Sequence, residues 1–162
     1  MVVYSSHFDF ETRGEFDIVD LTAKVEESVR NSGVQEGLAV VYAGHSTGVI
    51  VLNEYDSALI EDLKGFLRRT LPAEGSYRHP VNAHAHLRSM LLTPSRVVPV
   101  RGGRLGLGTW QSLYWVEAET RPRRRRVEVT VVGERKPPLG ATGGSGSQYL
   151  IAEAKIITEN HS

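Results

Sequence analysis

Apolar residues come in short bursts along this chain. Leu38–Tyr42, Val49–Leu52 and Val97–Val100 are each four or five residues long, flanked within two positions by Gly, Asn or Arg. Bursts of that length suit strands buried in a sheet and fall far short of the ~20 residues of a membrane-spanning helix. No membrane association is expected, and Met1–Ser6 has neither the basic nor the long apolar region of a signal peptide. The expectation is a cytoplasmic protein of one domain, since 162 residues suffice to close one core. The chain has no cysteine. Disulfide scaffolds, thiolate zinc sites, iron–sulfur clusters and cysteine nucleophiles are thereby excluded.

Periodicity sorts the rest into α+β. Leu21, Val25 and Val29, spaced four apart, predict a helix from Asp20 or Thr22 to about Arg30, stopped at Asn31-Ser32-Gly33. Leu59, Ile60, Leu63, Phe66 and Leu67 give a second helix from Asp56-Ser57 to about Arg69, ended by Leu71-Pro72. A third, shorter one runs from about Ala83 to Leu92 and stops at Thr93-Pro94. Strands are expected over 2–10, 15–19, 37–43, 48–52, 96–100, 103–107, 112–119 and 124–132. A ninth is expected near 148–157, where Leu150, Ala152, Ala154 and Ile156 alternate with Tyr149, Ile151, Glu153 and Lys155. Gly133–Ser147, rich in Gly, Pro and Ser, is expected to be a flexible loop. The sequence contains no evident internal repeat.

Charge is neutral in total and uneven in detail. Residues 1–77 carry thirteen acids and six bases, whereas 78–126 carry ten bases, all arginine, and only Glu117 and Glu119 as acids. A neutral total argues against a bulk polyanion binder. Nucleic acid is not an expected partner, because the run Arg121–Arg126 has no interleaved aromatic side chain. The arginine-rich stretch suits small oxyanions, for which the planar guanidinium is well matched. In extended backbone Arg124 and Arg126 share one face, and Arg123 and Arg125 the other.

The same stretch holds most of the candidate chemistry. His79 lies in a polar segment, His84 and His86 lie at the start of the third helix, and His45 sits between two strands in Gly44–Gly48. Imidazole is the commonest metal ligand, and three converging histidines make an open site for zinc or a similar ion. His84 and His86 are two apart, about 200° on a helix, so there only one can face a given site, whereas on an extended entry segment both could share a face; the neighbouring stripe Leu87, Met90, Leu91 favours His86. Glu54, after the Val49–Leu52 strand, can serve as ligand or general base, or as a helix-initiating acid ahead of Asp56. Gly106–Gln111 brings hydrogen-bonding Thr109 and Gln111 beside the stacking face of Trp110. It lacks a following Lys-Ser/Thr and is not a nucleotide-hydrolysing phosphate loop.

Taken in order, His45-Ser46-Thr47, Asn53-Glu54, Tyr77-Arg78-His79, Ala85-His86-Leu87, Pro99-Val100, Gly108-Thr109-Trp110-Gln111 and the arginine run before a valine strand resemble the YjbQ family, also called the secondary thiamine-phosphate synthase family. The resemblance spans about residues 5–134. It implies an α+β fold on a large mixed sheet, a homotrimer, and a metal-holding histidine set mapping to His45, His79 and His86. The implied activity, secondary in that family, joins a hydroxymethylpyrimidine diphosphate to a thiazole phosphate with loss of diphosphate. On that reading Glu54, His45 and Gln111 are catalytic, and Arg78, Thr109, Trp110 and Arg124 bind the phosphorylated heterocycle. The cofactor is a divalent ion, zinc by its imidazole ligands or magnesium by the diphosphate chemistry. The alternatives are a trimeric protein that binds metal or a small anion, and a metal-dependent hydrolase. Two positions depart from the family pattern: Asn82 stands where an acid is usual, and Glu119-Thr120-Arg121-Pro122-Arg123 replaces an Asp-Gly-Pro-Arg turn.

Overall fold

A computed structural model describes residues 1–135. In chain order its elements are β1 (Val2–Thr12), β2 (Ile18–Asp20), α1 (Thr22–Ser32), β3 (Glu36–Tyr42), β4 (Ile50–Asn53) and α2 (Ser57–Thr70). There follow α3 (Ala83–Leu92), β5 (Ser95–Arg101), β6 (Arg104–Leu105), β7 (Ser112–Val116) and β8 (Arg123–Glu134). Among the described residues the fold is α+β with three helices, as expected from the sequence. One detail differs from the mixed sheet that the family resemblance implies: every strand pairing among the described residues is antiparallel.

The strands form a five-stranded sheet in the order β1-β8-β3-β5-β6 and a three-stranded sheet β2-β7-β4. Between the sheets lies the larger core, where Ala39, Val41, Val98, Val127, Val129 and Val131 from one side meet α1 and Ile50, Leu113 and Trp115 from the other. The small sheet is buried on both faces. Tyr114 and Val116, of opposite parity to Leu113 and Trp115, join Val49, Val51, Ile60, Leu67 and Ala85 in a second core beneath α2 and α3. Two-sided burial is why β7 reads as an unbroken apolar run rather than an alternating one.

Local chemistry sets the element ends. The Asp56 carboxylate accepts from the Leu59 backbone N–H at 2.9 Å, an N-cap for α2. Gly33, with φ 72°, closes α1 in the left-handed conformation open to glycine. Gly37 of β3 pairs with Gly133 of β8, and a Cβ built on Gly37 would lie 1.9 Å from the Val132 carbonyl oxygen. The close approach of the two strands therefore requires glycine there.

Several expected boundaries move. β1 runs on to Thr12, and β2 begins at Ile18 because residues 15–16 form a turn. β7 stops at Val116 because Glu117–Glu119 leave the strand to enter a buried polar network. β6 is only two residues long. β8 runs through Gly133 and Glu134, so these belong to a strand and not to the expected loop. The part of that loop beyond Arg135, and the expected strand at 148–157, lie outside the described residues.

Candidate functional site

At the start of α3 the chain turns sharply. The Asn82 N–H donates to the Pro80 carbonyl at 3.0 Å, around Val81 with φ 77°. This is a γ-turn of the rarer, strained hand, and a β-branched residue rarely adopts it. The turn puts His79 beside Asn82 and opposite the first exposed turn of α3. His79 and His86 stand edge to face with ring centroids 4.9 Å apart. They line a cleft of about 380 Å³ with Tyr77, Arg78, Ala83, Leu87 and Met90. The lining therefore combines apolar side chains with two imidazoles and a guanidinium.

From this cleft a hydrogen-bonded chain runs inward, from the exposed His79 ring to buried carboxylates. His79 Nε2 and Asn82 Oδ1 are 3.2 Å apart, and Asn82 Nδ2 donates to Glu119 Oε1 at 2.7 Å. The Glu119 backbone N–H donates to Glu117 Oε2 at 3.0 Å. Glu117 also accepts from Thr12 Oγ1 (2.7 Å) and from Arg125 Nε and Nη2 (2.7 and 2.5 Å). Arg125 Nη1 reaches Thr47 Oγ1 at 3.0 Å. Glu117, Glu119 and Arg125 are all buried. Burial pushes the Glu117 carboxyl up, but the Arg125 guanidinium, the Glu119 N–H and the Thr12 hydroxyl outweigh it and hold it below the ordinary carboxylate range.

His84 points inward, as its spacing from His86 predicts. It is 2% exposed, and neither ring nitrogen has a hydrogen-bond partner. Burial, then the nearby Arg88, lowers its pKa. Arg88 is itself fully buried, donating to the carbonyls of Leu71 and Ala118 and to the Glu15 carboxylate.

His45 belongs to another neighbourhood. The Arg126 backbone N–H donates to His45 Nε2 at 3.0 Å, and its ring meets Trp115 edge to face at 6.2 Å. An N–H can only donate, so Nε2 carries the lone pair and, in the neutral ring, Nδ1 carries the proton. Burial first, then Arg125 and Arg123, lowers its pKa. Among the described residues no group of three or more His, Asp or Glu side chains is arranged to hold a metal ion. A zinc centre normally draws three protein ligands; the cleft offers two imidazoles, so one chain alone does not complete the expected set.

The remaining expected residues are spread out. Glu54 is exposed at the end of β4, where its carbonyl accepts from the Tyr114 hydroxyl at 3.4 Å. Gln111 Oε1 accepts from the Gly108 N–H at 2.9 Å, while its own N–H donates to the Gly108 carbonyl, so its side chain fastens the turn. Thr109 is exposed and Trp110 is 73% exposed on that turn. Arg124 and Arg126 face outward on β8 and both pair with Asp9, whose carboxyl they lower to about 2. The structure thus brings Arg78, His79 and His86 together, with Asn82 and Glu119 behind them, and does not add the others to that cleft.

A sequence profile described as UPF0047 protein YjbQ-like matches residues 6–134. The chain belongs to the YjbQ-like UPF0047 family. A UPF0047 protein of Methanothermobacter thermautotrophicus is 38% identical over 137 residues, covering 83% of this chain and 95% of that protein. One from Archaeoglobus fulgidus is 40% identical over 122 residues, covering 74% and 94%. Among solved structures, a hypothetical protein of Aeropyrum pernix K1 superposes with a TM-score of 0.76 at 40% identity, covering 80% of this chain and 98% of that one. A YbjQ-like protein of unknown function from Sulfolobus solfataricus P2 gives 0.74 at 34% identity, covering 82% and 100%. The matched span contains the cleft, the γ-turn and the whole Glu117–Glu119 network. Sequence reading found His79, His86 and Arg78 but missed Glu117, Glu119 and Arg125 as one unit. The available signal was parity: Arg125 continues the inward series Val127, Val129, Val131.

Proposed function

We propose that the cleft between the His79 turn and α3 binds a small phosphorylated heterocycle and catalyses its transfer chemistry. The finest form of this reading is the secondary thiamine-phosphate synthase activity that the family resemblance implies. The observation that carries it is the pairing of His79 and His86 at 4.9 Å with Arg78 and the apolar Tyr77, Leu87 and Met90 in one cleft. Arg78 suits a phosphate group, the imidazoles can handle a proton or a developing charge, and the apolar side chains suit a flat ring. A divalent ion in this site would take His79 and His86, with its remaining ligands from substrate phosphate oxygens or a second copy of the chain. The contributions of Arg78 and of the apolar side chains do not depend on the ion.

Self-association is part of the proposal. The outer face of the five-stranded sheet groups Val3, Leu38, Val40, Val97, Pro99 and Val132, with Leu38 49% and Val97 56% exposed. An apolar face of this kind marks an interface, here between copies of this chain, in keeping with the implied trimer. No helix among the described residues is long and apolar enough to cross a membrane.

The test is turnover. Purified protein with hydroxymethylpyrimidine diphosphate, thiazole phosphate and either Mg²⁺ or Zn²⁺ is expected to form thiamine phosphate. His86→Ala and Arg78→Ala should each lower kcat/KM by roughly 10²-fold or more. Binding of either substrate without turnover favours a small-anion-binding protein, and the absence of both binding and turnover overturns the proposal.

A further inference from the structure

Two histidines in this protein are held by hydrogen bonds of opposite sense. His45 accepts a backbone N–H at Nε2. His79 instead presents Nε2 to the side chain of Asn82 at 3.2 Å. Which ring nitrogen of His79 carries its proton depends on which end of the Asn82 amide faces it, and an amide can turn either end. Glu119 removes that freedom. It is 1% exposed, and as a carboxylate it can only accept, so the Asn82 amide must turn its NH₂ toward Glu119 Oε1, 2.7 Å away. The amide oxygen then faces His79, and Nε2 of His79 must donate. The Glu119 backbone is itself held, its N–H donating to Glu117, which Arg125 and Thr12 fix in turn, and the Asn82 amide is the one hydrogen-bond partner of its buried carboxylate among the described residues.

We propose that Glu119 is a positioning residue: acting through Asn82, it locks His79 in the Nε2–H tautomer and leaves the Nδ1 lone pair available at the cleft that His79 shares with His86. The inference deepens the functional reading of that cleft and rests on it for its purpose. A lone pair held at one nitrogen serves as a proton acceptor or as a donor to a cation, and an ordering partner behind an imidazole is the usual means of fixing it. Here the ordering group is a carboxylate working through an amide. With Glu119 behind it, the Asn82 amide relays the orientation set by the carboxylate to the His79 ring.

The experiment reads the ring and needs no substrate, so its failure is separable from failure of the functional reading. Protein labelled with ¹⁵N in histidine is followed by long-range ¹H–¹⁵N correlation above the pH range of imidazole protonation. In the parent, His79 should show a protonated Nε2 and an unprotonated Nδ1, while His45 should show the reverse and serve as an internal reference. Glu119→Gln supplies a side chain that can donate as well as accept, so the Asn82 amide can turn over. The Nδ1–H form of His79 should then rise at least several-fold, with His45 unchanged. If Glu119→Gln does not fold, Asn82→Ala should release the ring, and its two nitrogen shifts should move toward each other while the backbone amide spectrum of the sheets is retained. A parent His79 in the Nδ1–H form, or a His79 spectrum that does not respond in the folded variant, overturns the proposal.

Discussion

The Glu117–Arg125 pair shows how a single residue holds two parts of this molecule together. Both side chains are fully buried, and the guanidinium also lies over the Trp115 ring at 5.1 Å from its centroid. Arg125 ties Glu117 to the Thr47 loop, and Glu117 passes that order to Glu119 and the His79 turn. Removing one partner of a buried pair leaves the other charged and desolvated, so Glu117→Gln should cost about 3–5 kcal/mol of stability by chemical denaturation at neutral pH. The pH dependence has a definite sign. Glu117 is held below the ordinary range in the folded protein and returns to about 4.3 when unfolded. Its contribution is therefore complete above about pH 4.3 and is lost as pH falls below it. The parent should lose stability through that acid range, and Glu117→Gln should lose correspondingly less. None of this was legible from residue type, since charged residues in an arginine run read as solvated; only the register of β8 turns Arg125 inward.

At the scale of elements, the sequence spoke clearly wherever one physical rule governed a segment. The four-residue spacing of Leu21, Val25 and Val29 and the stop at Gly33 marked α1, and the Asp56 cap marked α2. Where tertiary contacts decided, the reading fell short: β7 ended early at Glu117, and β6 shrank to two residues. The cleft was half legible. His79 and His86 stood out as polar residues at a loop-to-helix junction, whereas their grouping depends on the turn at Val81, whose φ no local pattern announces. Two element-level substitutions follow. Gly37→Ala forces a methyl group into the Val132 carbonyl and should destabilise by about 1–3 kcal/mol or more, seen as a lower denaturation midpoint. Val81→Gly relieves a left-handed cost of about 1–2 kcal/mol against a glycine entropy cost of about 0.5–1 kcal/mol. It should therefore raise stability by up to about 1.5 kcal/mol, measured in the same way.

For the whole molecule, the segregated charge finds much of its counterpart inside one chain. Arg88 pairs with Glu15, Arg125 with Glu117, and Arg124 and Arg126 with Asp9. Of these, the Glu15 and Asp9 pairs join the acidic first half to the arginine-rich stretch directly. Less of that attraction is left to join separate copies, and the apolar outer face of the five-stranded sheet is the better surface for assembly. Association should accordingly persist at about 1 M salt, where the screening length is about 3 Å, and should weaken by a measurable factor in Leu38→Glu or Val97→Glu, as read by light scattering across a dilution series. The central claim remains the cleft at the start of α3. Its most direct test is a titration of isotope-labelled protein with the thiazole phosphate, following the ring signals of His79 and His86 and the guanidinium signal of Arg78. Saturable shifts at these three residues, lost in Arg78→Ala while the Gly108–Gln111 turn stays unmoved, are the expected result. No saturable shift there, or binding confined to His45 or to the Trp110 turn, would contradict the account.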